Sequence, residues 1–202
     1  YEQSLRVVDR LENDGAGLNL CYEVRRGILC HTAGEPAETL EGQLVRFADK
    51  IAYINHDIDD AMRGGIIFPT DIPVHISETL GFTHGERLDT LTMDIIENSR
   101  EGNAIRQSEH IAQAMAELKQ FMFDSVYFNP LAKGEEGKAE DMICLLFDYY
   151  AKHTDKLPPE YQDILVREGA QRAVVDYIAG MTDSYAVETF SNLFIPKGWM
   201  VK

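Results

Sequence analysis

The sequence predicts an all-α fold on three observations. Apolar residues recur at three- and four-residue spacing in nearly every segment, strand-like alternation nowhere persists beyond a few residues, and the breaks carry helix-ending residues such as Gly64-Gly65 and Asn129-Pro130. Leu5, Val8 and Leu11 open a first helix, which the run Asn13-Asp14-Gly15-Ala16-Gly17 ends. Leu18 to Leu29 suits a second, broken by the loop His31 to Glu38 with its Gly34 and Pro36. Thr39 is placed to cap a long helix to about Arg63, because its hydroxyl can accept from a first-turn N–H that has no partner within the helix. Residues 66–73, with Pro69 and Pro73, make a connection, and short helices follow at 74–80 and 85–100. A second helical block begins near Gln107, so the chain divides into 1–104 and 105–202. Its first helix, to about Tyr127, carries the stripe Ile111, Ala114, Met115, Leu118, Phe121 and Met122, which reads as core and, less readily, as an assembly surface. Lys133 to Lys138 is a polar loop, helices fit 139–152, 159–168 and 170–193, and Pro196-Lys197-Gly198 leads into a short tail.

Composition narrows the function classes. The 202 residues carry 34 Asp and Glu against 19 Lys and Arg, a formal charge of −15, and such a surface repels phosphate backbones. General nucleic-acid binding is therefore disfavoured, while a local basic pocket is still allowed. No run approaches the roughly 18 apolar residues of a membrane span. The three cysteines, Cys21, Cys30 and Cys144, lack metal-type spacing and read as reduced thiols, which fits a cytoplasmic protein. Cys144, beside Ile143, Leu145 and Leu146, reads as buried packing. No phosphate-binding loop, dinucleotide fingerprint or nucleophile elbow occurs. The chain enters a helical pattern directly at Tyr1, which reads either as a trimmed terminus or as the rear part of a longer protein.

The informative stretch is Glu41 to Ala61. At 100° per residue, Leu44, Phe47, Ala48, Ile51, Ile54, Ile58 and Met62 gather on one side, and Asp49, Tyr53, His56, Asp57 and Asp60 lie within an arc of about 100° on the other. A solvated helix face is often acidic. This one is unusual in its short aspartates, which are poor helix formers and repel one another unless a cation or a hydrogen-bonding ligand lies between them. Such a face could bind a divalent metal and the hydroxyl groups of a ligand.

The run Leu40 to Ala61, containing Asp49-Lys50-Ile51-Ala52-Tyr53-Ile54-Asn55-His56-Asp57, resembles the signature helix of the dGTPase-like HD-domain deoxynucleoside triphosphate triphosphohydrolases. Glu2 to Val8, Leu18 to Leu29 and Gln171 to Asp183 resemble further segments of that family, so the likeness covers essentially the whole chain. It implies the rear half of an HD-domain helical bundle over 1–104, followed by a helical HD-associated domain over 105–202. The implied reaction converts a dNTP, dGTP favoured, into a deoxynucleoside and intact tripolyphosphate with a divalent metal (Mn, Mg or Fe), in a homo-oligomer. By the resemblance Asp49 is the last metal ligand, Lys50 contacts phosphate, and Tyr53 and Asp57 contact the sugar 3′-hydroxyl, with Tyr53 also disfavouring a 2′-hydroxyl.

The family's earlier histidine, its His-Asp pair, and the histidine and glutamate that assist water attack precede the part matched by Tyr1. The dipeptide His56-Asp57 is no substitute, since it follows Asp49 in the chain. With Asp49 as a single carboxylate, the 202 residues are expected to bind metal weakly and not to hydrolyse dNTPs. No residue is therefore assigned a catalytic role. The rival reading is a non-enzymatic helical assembly or regulatory module derived from the family. Tyr127, among Phe121, Phe123 and Phe128, could approach a base but reads as core.

Overall fold

The computed structural model describes residues 1–32 and 34–198. Ala33, within the expected loop, and 199–202, the expected tail, lie outside the described residues. Helices account for the regular structure, and no strand occurs among the described residues. The chain forms two compact units, Tyr1–Lys133 and Gly134–Lys202. The helical block that begins near Gln107 therefore contributes its first helix to the first unit.

In the first unit, α1 (Glu2–Arg6) runs into a π-helical turn (Val7–Leu11), and α2 (Tyr22–Cys30) starts later than Leu18. The long helix α3 spans Leu40–Arg63, and Thr39 caps it as its sequence predicts, Oγ1 accepting from Gly42 N at 3.1 Å. Short helix α4 (Val74–Leu80) and α5 (His84–Asn98) follow. Between them Gly81 adopts φ +115°, a conformation that an L side chain rarely takes. Thr83 and Glu86 form a capping box: Thr83 Oγ1 accepts from Glu86 N, and Glu86 Oε2 accepts from Thr83 N and Phe82 N. Helix α6 (Glu109–Met122) ends in a second π-helical turn, Phe123–Tyr127, and α7 (Pro130–Lys133) closes the unit.

The core of this unit is one cluster. Ile51, Ile54 and Ile58 of α3 meet Ile76 and Leu80 of α4, Leu91 and Ile95 of α5, and Ile111, Leu118 and Met122 of α6. Each such side chain contributes about 1.5–3 kcal/mol relative to exposure. The stripe from Ile111 to Met122 is therefore spent internally. On α3 the apolar side is narrower than its sequence predicts, because Leu44 and Ala48 are exposed and Asn55 takes a wholly buried position. Gly42 of α3 lies against α2 at Gly27, and a β-carbon on Gly42 would stand 2.5 Å from that of Ala37.

The second unit holds α8 (Glu136–Lys152), α9 (Gln162–Glu168), α10 (Ala170–Ala179) and α11 (Asp183–Phe194). The expected helix 170–193 is two helices, because Gly180 ends α10 and Thr182 caps α11, accepting from Tyr185 N at 3.2 Å. Its core joins Leu146, Tyr150, Leu157, Ala173, Val174 and Tyr177, with Tyr150 edge-on to Tyr177 at 5.0 Å between centroids. Cys144 departs from its sequence expectation. It is exposed, since α8 turns Leu146 and Tyr150 inward and Cys144 falls outside that stripe.

Candidate functional site

One cavity of about 460 Å³ in the first unit is lined by all four of the site residues picked from the sequence, Asp49, Lys50, Tyr53 and Asp57. All four are on α3, and the facing wall comes from Met115 and Lys119 of α6, with Gln107 before it and Tyr127 after it. The periodicity explains the gathering. Asp49, Tyr53 and Asp57 recur every four residues and so follow one gently winding row, which advances about 12 Å over the two turns, while Lys50 lies beside Asp57 round the helix.

His56 and Asp60, grouped with them by helical angle, do not line the cavity. His56 lies at the edge of the arc nearer α5, its ring 5.7 Å from that of His84. Asp60 pairs with Arg63 on the exposed surface. Asp59 Oδ2 is 2.7 Å from His84 Nδ1, though not in the alignment of a hydrogen bond. The row of acidic side chains on α3 thus splits between the cavity and the start of α5.

The cavity has two chemically distinct ends. At one, Tyr127 Oη donates to Asp57 Oδ2, while Tyr53 presents an exposed ring. Burial first, and then the hydrogen bond and charge of Asp57, push the Tyr127 hydroxyl well above the usual phenol range, so it stays protonated. At the other end Lys50 and Lys119 line the cavity beside the Asp49 carboxylate, and no ion pair of either lysine occurs among the described residues. Burial first, and then the like charges of Arg46 and Lys119, push Lys50 below its ordinary value. A smaller adjoining cavity of about 350 Å³ is lined by Arg46 and Lys50, and it extends the cationic end along α3. In a chain of net charge −15, Lys50, with Arg46 and Lys119 each within electrostatic reach of it, forms a local anion-attracting surface.

Tyr127 is the site residue that sequence reasoning assigned elsewhere. Lys119, Phe123 and Tyr127 recur every four residues, the same spacing that puts Asp49, Tyr53 and Asp57 in one row on α3, so helical geometry offered a signal for Tyr127. In the π-helical turn that ends this helix, Phe128 N–H donates to the Phe123 carbonyl five residues back, at 3.2 Å. Periodicity at 3.6 residues carries no sign of such a turn.

The donor set for a metal is incomplete in these residues. Among the described residues no group of three His, Cys, Asp or Glu side chains is arranged to hold a metal ion. Asp49, half-buried at the cavity, can offer one carboxylate, and one hard carboxylate does not hold a divalent ion against water.

A larger cavity, about 510 Å³, lies between α2 and α3. Its walls are mainly Val24, Ile28, Val45 and the two glycines Gly27 and Gly42, and it shares no residue with the site above. The convergent polar groups, rather than volume, single out the smaller cavity.

Known proteins resemble this chain over nearly its whole length. Residues 105–192 match the phosphohydrolase-associated domain family. The deoxyguanosinetriphosphate triphosphohydrolase-like protein of Caldanaerobacter subterraneus subsp. tengcongensis is 48% identical over 198 residues, 98% of this chain and 58% of the relative. Its counterparts in Clostridium perfringens (strain 13 / Type A) and Clostridium tetani are 43% and 42% identical, covering 97% and 96% of this chain and 60% and 59% of those proteins. The chain thus spans about three fifths of the length of the curated relatives it matches.

Proposed function

We propose, from the premise that the chain belongs to the deoxyguanosinetriphosphate triphosphohydrolase-like family, that these residues form the nucleotide-binding portion of a dNTP triphosphohydrolase. The reaction adds water to the α-phosphate of a dNTP and releases a deoxynucleoside and tripolyphosphate, with dGTP the favoured substrate and a homo-oligomer the working assembly. The observation that carries this reading is the single cavity lined by Asp49, Lys50, Tyr53 and Asp57, cationic at one end and hydroxyl-recognising at the other. A molecule with a phosphate chain and a sugar hydroxyl matches both ends.

In this reading Lys50 binds the phosphate chain as a point charge, and Lys119 faces it from α6. The Asp57 carboxylate accepts a hydrogen bond from the sugar 3′-hydroxyl. The ring of Tyr53 packs under the deoxyribose and leaves no room for a 2′-hydroxyl. Asp49 would be one ligand of a divalent ion, Mn²⁺, Mg²⁺ or Fe²⁺, whose chemistry when bound is to polarise the α-phosphate. The remaining ligands and the groups that activate water would come from outside the described residues, and the 202 residues alone are expected to show no turnover.

The test is tripolyphosphate release from each dNTP by the intact protein carrying Asp49→Ala. Loss of both metal binding and activity supports the reading. An Asp49→Ala protein with undiminished activity would remove Asp49 from the site, and substantial turnover by the 202-residue chain would refute the dependence on further ligands. The rival reading, an assembly module without activity, has less to support it, because the stripe it would use is buried in the first unit.

A further inference from the structure

The hydrogen bond between Tyr127 and Asp57 ties residues 70 apart in the chain. It is the one hydrogen bond that Asp57 makes among the described residues, and it engages Oδ2 alone, leaving Oδ1 as an acceptor on a cavity-lining side chain. Without such a partner an aspartate on a helix face rotates among several rotamers, and ordering it on binding costs free energy. Tyr127 is itself held: its ring sits edge-on to Phe123, with centroids 5.0 Å apart, and the π-helical turn Phe123–Tyr127 aims it at α3. Its hydroxyl stays protonated, so it is a permanent donor to Asp57.

We propose that Tyr127 is a positioning residue that holds Asp57 in the orientation in which its free oxygen accepts a hydrogen bond from a sugar hydroxyl, and that it thereby sets the preference of the cavity for 3′-hydroxylated ligands. The inference rests on the nucleotide reading given above. It adds a residue on a different element, and it makes the hydroxyl preference depend on that residue as well as on the carboxylate.

The experiment compares equilibrium binding of dGTP and of 2′,3′-dideoxy-GTP to the intact protein, as wild type, Asp57→Asn and Tyr127→Phe. Each preparation gives a ratio of two affinities, which partial unfolding leaves unchanged, and Tyr127→Leu serves if the phenylalanine variant does not fold. The wild type is expected to prefer the hydroxylated ligand by roughly tenfold, the scale of one hydrogen bond to a charged acceptor. Tyr127→Phe is expected to lower that preference to about threefold or less while changing dideoxy binding by less than about twofold. Equal weakening of both ligands, or an unchanged ratio, overturns the positioning role. If Asp57→Asn abolishes the preference and Tyr127→Phe keeps it, the nucleotide reading stands and this inference alone fails. A wild type indifferent to the hydroxyl removes both.

Discussion

Arg87 Nε donates to Asn55 Oδ1 at 2.8 Å in the interior of the first unit, with Asn55 fully buried and Arg87 3% exposed. Asn55 is held from its other side, Nδ2 donating to the Ile51 carbonyl at 2.8 Å, and so α3 and α5 are joined through one polar contact within an apolar core. Burial lowers the pKa of Arg87, with Asp59 and then Glu86 opposing that shift. Asn55 is the nearer of two acceptors of the guanidinium, whose Nη1 also donates to the Phe82 carbonyl at 3.5 Å.

Asn55→Ala should accordingly destabilise the protein by about 3 kcal/mol, because it strands a buried charged donor and also removes the bond back to α3. Asn55→Asp, which keeps an acceptor facing the guanidinium, should cost less. Urea denaturation of the two variants side by side checks the order, and equal losses would mean that the Nδ2 donor to the Ile51 carbonyl, which both variants lack, rather than the acceptor, is what matters at this position.

Lys119 faces Lys50 across the cavity and has no acidic partner among the described residues, while its ammonium group stands 5.7 Å over the Phe123 ring. Lys119→Ala is expected to weaken binding of a deoxynucleoside triphosphate by roughly five- to tenfold at low salt and to leave the deoxynucleoside unaffected. Titrations with both ligands at two salt concentrations decide this. A loss of equal size for the nucleoside would place Lys119 away from the phosphates.

Acid should loosen two particular joints. Accepting from Thr83 N and Phe82 N draws Glu86 below its ordinary value, and the Arg25 hydrogen bond does the same for Asp9. A carboxyl whose folded value is depressed adds stability that is fully present above its unfolded value, about 4, and is lost as pH falls through the lower folded one. Melting temperature should thus be insensitive to these groups above about pH 5 and fall below about pH 4. Glu86→Gln should flatten part of that fall, and an acid limb that Glu86→Gln and Asp9→Asn together leave untouched would assign it to other groups.

Much of the fold was legible because it follows from local rules. Thr39 caps α3, Gly64 ends it, and α4 spans 74–80, all as punctuation and spacing predict. The cavity-lining face of α3 was legible through Asp49, Tyr53 and Asp57, which helical geometry alone groups together. His56 and Asp60 belong to the same arc, and what separates them is tertiary: α6 packs beside one edge of the arc and α5 beside the other. Asn55 sits where periodicity expects an apolar residue, because its partner Arg87 arrives from 32 residues away. Cys144 has apolar neighbours in sequence, yet α8 buries only every fourth residue of that stretch, Leu146 and Tyr150.

At Gly42, α3 packs directly on Gly27 of α2. Gly42→Ala would put its β-carbon 2.5 Å from that of buried Ala37, a contact that only backbone movement can relieve. The expected cost is about 1–3 kcal/mol, in spite of the better helix propensity of alanine. Thermal denaturation tests the sign. Stabilisation instead of loss would mean that the 37–42 turn can shift freely.

The π-helical turn at Phe123–Tyr127 amounts to one residue more than an α-helix needs to cover the same rise. Removing one codon within it would let a regular α-helix cover the same rise, so the residues on either side keep their facing and only the order of side chains inside the turn changes. In lineages of this sequence, a single-residue gap at this place is therefore one the helix can absorb, where the same gap in the middle of α6 would turn every later side chain of that helix by about 100°. Alignment columns 123–127 are the place to look for tolerated length variation among otherwise similar proteins.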